Sequence, residues 1–328
     1  MQALLIPDLL GCWLTGERVV EDTNASTTGL LDARTGQWST DLIDTLRVPT
    51  GLLPRVAPPG TVVGGLTAAV RADTGLSGSV RLTTVGSHDT ASAIVWVPAD
   101  TPNFAYISCG TWGLVGVELD APVLTEESRA ANFTSERGVD GTIRYLRNVM
   151  GLWLLSETLR TWELHGHTHA LTDLIGQAAT LPAGGPTFDP DAPEFLPPGD
   201  MPSRIAAACR ESGQRPPVTP AEIVRCILDS LASTFAARIL DAQRLSGQRI
   251  DVIHIVGGGS QNQLLCQLIA DAAGLPVIAG PVEATALGNL LVQARTHGAL
   301  TGDLWALRAQ LRAVAETRTY SARSAAFR

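Results

Sequence analysis

The sequence predicts an α/β fold, and three observations carry that prediction. An apolar stretch at residues 80–85 runs into Gly86-Ser87-His88-Asp89-Thr90 and then a small apolar run. A second, at 251–256, runs into Gly257-Gly258-Gly259 and a helical pattern. Between them, β-rich halves flank Cys109-Gly110-Thr111-Trp112. Strand, glycine turn and helix is the repeating unit of α/β sheets, where strand ends and helix N-termini converge on one crevice.

Residues 3–15 read as an amphipathic helix ending at Gly16. Residues 24–59 are turn-rich (NASTTG, DARTGQW, RVPTG, VAPPGT) around one short helix at 40–46. A strand is expected at 62–70, after which Thr74, Gly75 and Gly78 turn the chain into the strand at 80–85. The stretch ASAIVWVPA after the GSHDT turn ends at Pro98, and a domain boundary is expected at 98–102. A hairpin follows over 104–118, then a helix at 148–164. Residues 181–202 carry seven prolines and three glycines, which predicts an ordered loop. Helices are expected at 202–212 and 220–245, the second opened by Thr219, Pro220 and Glu222 as cap, first-turn proline and acid. A buried strand at 251–256, a tight turn, a helix at 260–273, a strand at 276–279 and helices at 285–297 and 302–315 complete the chain.

The 328 residues, 45% apolar and 17% charged, suit one large or two ordinary domains. A net charge of −8 lacks the basic footprint that nucleic acid or anionic membrane surfaces attract. All 24 basic residues are arginine. Without lysine, a Walker-type phosphate lysine, a protein-kinase lysine and Schiff-base chemistry are excluded, so any phosphate must be held by other groups. Five cysteines without CxxC spacing argue against a disulfide framework or zinc ribbon and for a reducing compartment, the cytoplasm. Pro7 and Asp8 interrupt the apolar N-terminus and no positive charge precedes Arg18, so no secretory signal is read. No run approaches the roughly 18 apolar residues of a membrane span.

Three constellations could carry chemistry. Asp89, opening a helix in a crevice, can accept the proton of a substrate hydroxyl; Asp and Thr in a first turn also simply cap it. The turn around Gly110 and Thr111 can present amides and a hydroxyl to phosphate oxygens, or be an ordinary hairpin turn. Gly257, Gly258 and Gly259 let a ligand approach the backbone. A GxGxxG fingerprint would need glycine where Asn262 stands, which favours a nucleotide other than a dinucleotide and weighs against an oxidoreductase. His165, His167 and His169 follow a helix end without acidic or cysteine partners and read as solvated loop, so no metal site is assigned. Cys209 and Cys226 read as packing residues.

Taken together, GSHDTASA, FAYISCGTWGLVG, LRNVMGLWLL, EIVRCILDSLA and IHIVGGGSQNQLLCQLIADAAGLPVIAGPVEATALGN resemble the FGGY carbohydrate kinases, from PDLLGCWLTGE and TNASTTGLLD to about Gly298. The resemblance implies an actin-like, ribonuclease H-like fold of two domains closing over sugar and ATP. Residues 1–98 would be the C-terminal remnant of the sugar-binding domain and 99–328 the nucleotide-binding domain. It implies transfer from ATP with Mg²⁺ to the primary hydroxyl of L-rhamnulose. The alternatives are another ketose such as L-fuculose, or a non-catalytic nucleotide-binding fragment. By resemblance Asp89 is the general base, His88, Thr90 and Asn148 hold the sugar, and Thr111 with Gly110 meets the phosphates. Gly257, Gly258, Gly259 and Asn262 cradle the adenosine side. Two departures stand out. Ser156 occupies the place of a nucleotide-side glutamine. Met1 aligns well inside the first domain, so the family's DxG phosphate hairpin has no counterpart, and little or no kinase activity is expected of this chain alone.

Overall fold

Short apolar runs closed by a glycine or a capping hydroxyl set most element boundaries. The computed structural model describes residues 2–49 and 51–323; Met1, Thr50 and residues 324–328, which fall inside the two expected domain ranges, lie outside the described residues. Helix α1 (Ile6–Thr15) stops at Gly16, whose φ of 80° lets its N–H donate to the Cys12 carbonyl. Strand β1 (Val19–Glu21) is buried throughout and pairs in parallel with β2 (Arg55–Ala57), across α2 (Asp22–Ala25) and α3 (Thr40–Thr45). Strand β3 (Val62–Gly65) pairs antiparallel with β4 (Arg81–Thr83) around α4 (Ala68–Thr74). The strand expected to reach residue 70 thus ends early. Thr67 caps a helix instead, its Oγ1 accepting from the Val70 N–H at 3.2 Å.

Helix α5 (Asp89–Val95) follows the GSHDT turn, and β5 (Phe104–Cys109) and β6 (Trp112–Leu119) form the expected hairpin. After α6 (Glu126–Ala130), β7 (Thr134–Arg137) pairs antiparallel with β8 (Ile143–Met150). The helix expected from 148 begins only at α7 (Trp153–Leu164). Gly151 is the reason: a Cβ there would stand 2.6 Å from the Trp112 carbonyl carbon and 2.7 Å from the Gly110 oxygen, so the strand docks on the hairpin turn before the helix starts.

Helices α8 (Leu171–Thr180), α9 (Met201–Glu211) and α10 (Pro220–Ser246) come next, the last opened by a full capping box of Thr219 and Glu222. Strand β9 (Val252–Val256) leads through a 3₁₀ turn at Gly258–Gln261 to α11 (Gln263–Ala273). That helix starts three residues later than expected because the Asn262 side chain caps it, accepting from Leu265 N–H at 3.0 Å. Strand β10 (Val277–Ala279), helices α12 (Ala284–Thr296) and α13 (Leu304–Arg312), and β11 (Arg318–Tyr320), which the sequence pattern does not show, close the order.

The main sheet runs β11-β10-β9-β5-β6-β8-β7, with β10, β9 and β5 parallel. The chain divides into two compact units. One contains the residues up to Pro102, Glu118–Leu146 and Glu283–Ala315; the other contains Asn103–Val117, Arg147–Val282 and the residues from Glu316. In the first, α5 and α12 pack together, and Val95, Val139, Val292 and Leu304 form a buried cluster. Gly288 of α12 lies so close to α5 that an added Cβ would overlap the Ser92 carbonyl oxygen. In the second, β5 and β9 are almost wholly buried, and α10 packs on α11 with Val224, Ile227, Leu231 and Phe235 in the interior. Among the described residues no helix is long and apolar enough to cross a membrane.

Candidate active site

The acid-bearing turn is held by a carboxylate that the sequence pattern did not single out. Glu21, at the end of β1, is buried to 1% exposure. It accepts from the Ser87 N–H at 3.0 Å, the Ser87 hydroxyl at 2.7 Å and the Thr23 hydroxyl at 2.6 Å. The Thr23 oxygen in turn accepts from the His88 N–H at 3.3 Å. Five groups of two distant segments thereby fix where α5 begins, and buried polar atoms this well satisfied resist displacement.

His88, Asp89 and Thr90 come together on the first turn of α5. One carboxylate oxygen of Asp89, Oδ1, accepts from the Thr90 N–H at 2.6 Å and from its hydroxyl at 3.2 Å. Oδ2 makes no hydrogen bond to the described residues, and the side chain is 78% exposed. A positioned carboxylate with one oxygen committed and the other open can take a proton from an approaching hydroxyl. His88 is three-quarters buried or more, and its Nδ1 lies 3.4 Å from both Asp89 Oδ1 and the Arg144 guanidinium. Burial, then the Arg144 charge, holds the His88 imidazole below its ordinary pKa against the pull of Glu136, Asp89 and Glu21.

Two neighbouring carboxyls are perturbed upward. Burial pushes Asp8 up to about 6. Burial first, then the Glu21 charge, pushes Asp22 up to about 7, against the Arg137 guanidinium 3.5 Å away. Both bind a proton more tightly folded than unfolded, where the value is 3.8. Their contribution to stability is therefore full below pH 3.8 and is lost as the pH rises through about 6 to 7. Asp8→Asn tests the sign. The Tm advantage of the wild type over the variant is expected to shrink between pH 5 and pH 8, and an advantage that grows would reverse the assignment.

In the other unit, parallel β5 and β9 end side by side, Ser108 opposite Val256. The turns that follow them leave the sheet at the same end of these two interior strands. Gly110 and Thr111 are exposed. The Gly110 N–H is committed to the Trp112 carbonyl at 2.8 Å, and the Gly110 and Thr111 carbonyls accept from Leu152 and Trp153 N–H. The Thr111 hydroxyl makes no hydrogen bond to the described residues. Asn148 is exposed on β8, not on a helix. It neighbours Arg147, which pairs with Asp191 at 3.2 Å. Ser156 is exposed on α7.

The three glycines differ in purpose. A Cβ at Gly257 would stand 2.9 Å from the Cys109 carbonyl oxygen, and one at Gly259 would overlap the Cys109 thiol, so both are required by packing against β5. Gly258 is exposed with nothing within 4 Å of an added Cβ. Asn262 serves α11 as its cap. His165 and His167 are exposed, and among the described residues no cluster of three His, Cys, Asp or Glu side chains could hold a metal ion.

Comparison with known proteins gives this geometry a context. The profile of the FGGY family of carbohydrate kinases, N-terminal domain, matches residues 2–95, and that of the C-terminal domain matches residues 105–297. The chain is 42% identical over 323 residues to a rhamnulokinase of Enterococcus faecalis, covering 98% of this chain and 64% of the relative. It is 43% identical over 300 residues to the rhamnulokinase of Bacteroides thetaiotaomicron, covering 92% and 61%. The fold is similar to that of a ligand-bound xylulose kinase from Lactobacillus acidophilus, with a TM-score of 0.75, 18% identity, and 98% of this chain on 63% of the other. It is similar also to Plasmodium falciparum glycerol kinase with ADP, with a TM-score of 0.74, 17% identity, and 97% on 62%. The chain thus spans less than two thirds of the length of these relatives.

Proposed function

This chain belongs to the FGGY family of carbohydrate kinases, and on that premise we propose that it transfers the γ-phosphoryl group of MgATP to the primary hydroxyl of L-rhamnulose, giving L-rhamnulose 1-phosphate and ADP. Residues 1–98 are its share of the sugar-binding domain, and 99–328 the nucleotide-binding domain. The observation that carries the reading is the open Oδ2 of Asp89 on a turn anchored by Glu21. As the sugar oxygen bonds to phosphorus and the bond to ADP breaks, Asp89 takes the hydroxyl proton. His88, Thr90 and Asn148 contact the sugar. The Thr111 hydroxyl beside Gly110 meets the phosphates, and the adenosine side lies along Gly257, Gly258, Gly259 and Asn262. Mg²⁺ enters with the nucleotide as part of the substrate.

Exposure of the base supports a low rate for these 328 residues by themselves, because a carboxylate open to water lacks the dry, shaped surroundings that phosphoryl transfer relies on. Phosphorus NMR of the chain incubated with ATP, Mg²⁺ and single ketoses tests both statements. A sugar phosphate is expected from L-rhamnulose, at a kcat/KM at least about 10²-fold below that of the Enterococcus faecalis relative assayed alongside. Product from L-fuculose but none from L-rhamnulose would overturn the substrate, and equal turnover would overturn the low rate.

A further inference from the structure

A residue outside the GSHDT turn reaches the His88 ring. Arg144 is fully buried on β8, directly opposite Glu136 of β7. Its Nη2 stands 2.9 Å from the Glu136 carboxylate, and its Nε donates to the Arg137 carbonyl at 2.9 Å. Its Nη1 lies 3.4 Å from His88 Nδ1, and Asp89 Oδ1 lies 3.4 Å from the same nitrogen. Nδ1 therefore sits between a guanidinium, which can only donate, and a carboxylate, which as the anion can only accept. One imidazole nitrogen cannot serve both.

We propose that Arg144 is a positioning residue that holds His88 as the neutral tautomer with a lone pair on Nδ1 and the hydrogen on Nε2, so that His88 presents a fixed N–H donor to an oxygen of the sugar. Rigidity decides between the two partners. Arg144 is tied by its Nε to the Arg137 carbonyl, stands in ion-pair range of Glu136 and is excluded from water, whereas Asp89 is mostly exposed and already accepts two hydrogen bonds from Thr90. Nε2 meets no hydrogen-bond partner among the described residues, which leaves its hydrogen for a ligand. The charged groups around the ring are Arg144, Glu136, Asp89 and Glu21; burial and Arg144 together outweigh the three carboxylates and favour the uncharged ring. A consequence is a division of labour. With Nδ1 engaged and Nε2 protonated, His88 has no lone pair for a sugar hydroxyl, and the proton can go only to Asp89.

The sugar contact rests on the kinase reading; the tautomer does not. Long-range ¹H–¹⁵N spectra of the ligand-free chain labelled in histidine, with His88 assigned through His88→Gln, read the tautomer directly. Between pH 6 and pH 8 the wild type is expected to show His88 with Nε2 protonated and Nδ1 bare. In Arg144→Met, His88 should gain the Nδ1–H or imidazolium form and titrate in that range, while Arg144→Lys keeps most of the wild-type pattern. A wild-type His88 found as Nδ1–H or as imidazolium at pH 7 overturns the proposal whether or not the variants fold. An unchanged spectrum in folded Arg144→Met overturns it as well. Calorimetry adds the functional arm: L-rhamnulose should bind Arg144→Met about 10-fold more weakly with ADP affinity unchanged. Failure of the wild type to bind L-rhamnulose would remove the kinase reading and leave the tautomer to be judged by the spectra.

Discussion

Replacing Asp89 with asparagine is expected to lower phosphoryl transfer to L-rhamnulose by about 10²- to 10⁴-fold, the range a positioned general base contributes. The amide keeps the shape of the carboxyl and its Oδ1 can still accept from Thr90, so α5 should retain its first turn. What disappears is a second oxygen able to receive a proton. ADP affinity should stay within about twofold, because the residues assigned to the nucleotide lie on other elements. Radiolabelled ATP gives the sensitivity that a slow wild-type rate requires. A variant that transfers at the wild-type rate would remove Asp89 from its role, and one that loses ADP binding would show that the substitution had disturbed the fold.

The second large effect is structural. Gly288→Ala adds one methyl group where it would overlap the Ser92 carbonyl, and backbone cannot swing aside as a side chain can. Helices α5 and α12 must separate, and overpacking of this kind costs about 1 to 3 kcal/mol, occasionally more. In chains of a couple of hundred residues each kcal/mol lowers Tm by roughly 2 to 4 °C, so a fall of roughly 2 to 12 °C is expected by calorimetry. Because α5 carries His88, Asp89 and Thr90 at its start, transfer should fall as well. Gly176→Ala on α8 is the control: nothing lies within 4 Å of its added Cβ, and an alanine in an open helical site should hold or raise Tm. Equal Tm values for Gly288→Ala and the wild type would mean that the two helices are not packed as described.

The reach of the sequence was uneven for physical reasons. Where a strand, a glycine turn and a cap stand together, as at 80–95 and 251–273, local pattern and final structure agree within a few residues. The hairpin at Phe104–Leu119 and the capping box at Thr219 were legible for the same reason. Strand β8 was not, because LRNVMGLWLL has helical composition and its strand conformation comes from pairing with β7 and from the close docking of Gly151. Missing that strand hid Arg144, whose bearing on His88 exists only when residues 56 apart in sequence fold together. Glu21 was hidden likewise: VVEDTN shows an acid after an apolar run, but only the fold brings Ser87 to it. The triple glycine was legible as a turn, but not that Gly257 and Gly259 lack a Cβ because they press on Cys109, a contact that only the pairing of β5 with β9 creates.

A crystal structure of the chain with ADP and L-rhamnulose bound settles the role of Asp89 by one distance. An Asp89 carboxylate oxygen is expected within about 2.6 to 3.2 Å of the sugar's primary hydroxyl, the reach a general base needs. A bound sugar whose primary hydroxyl lies beyond reach of Asp89, even through one water, and beside another acid would contradict it.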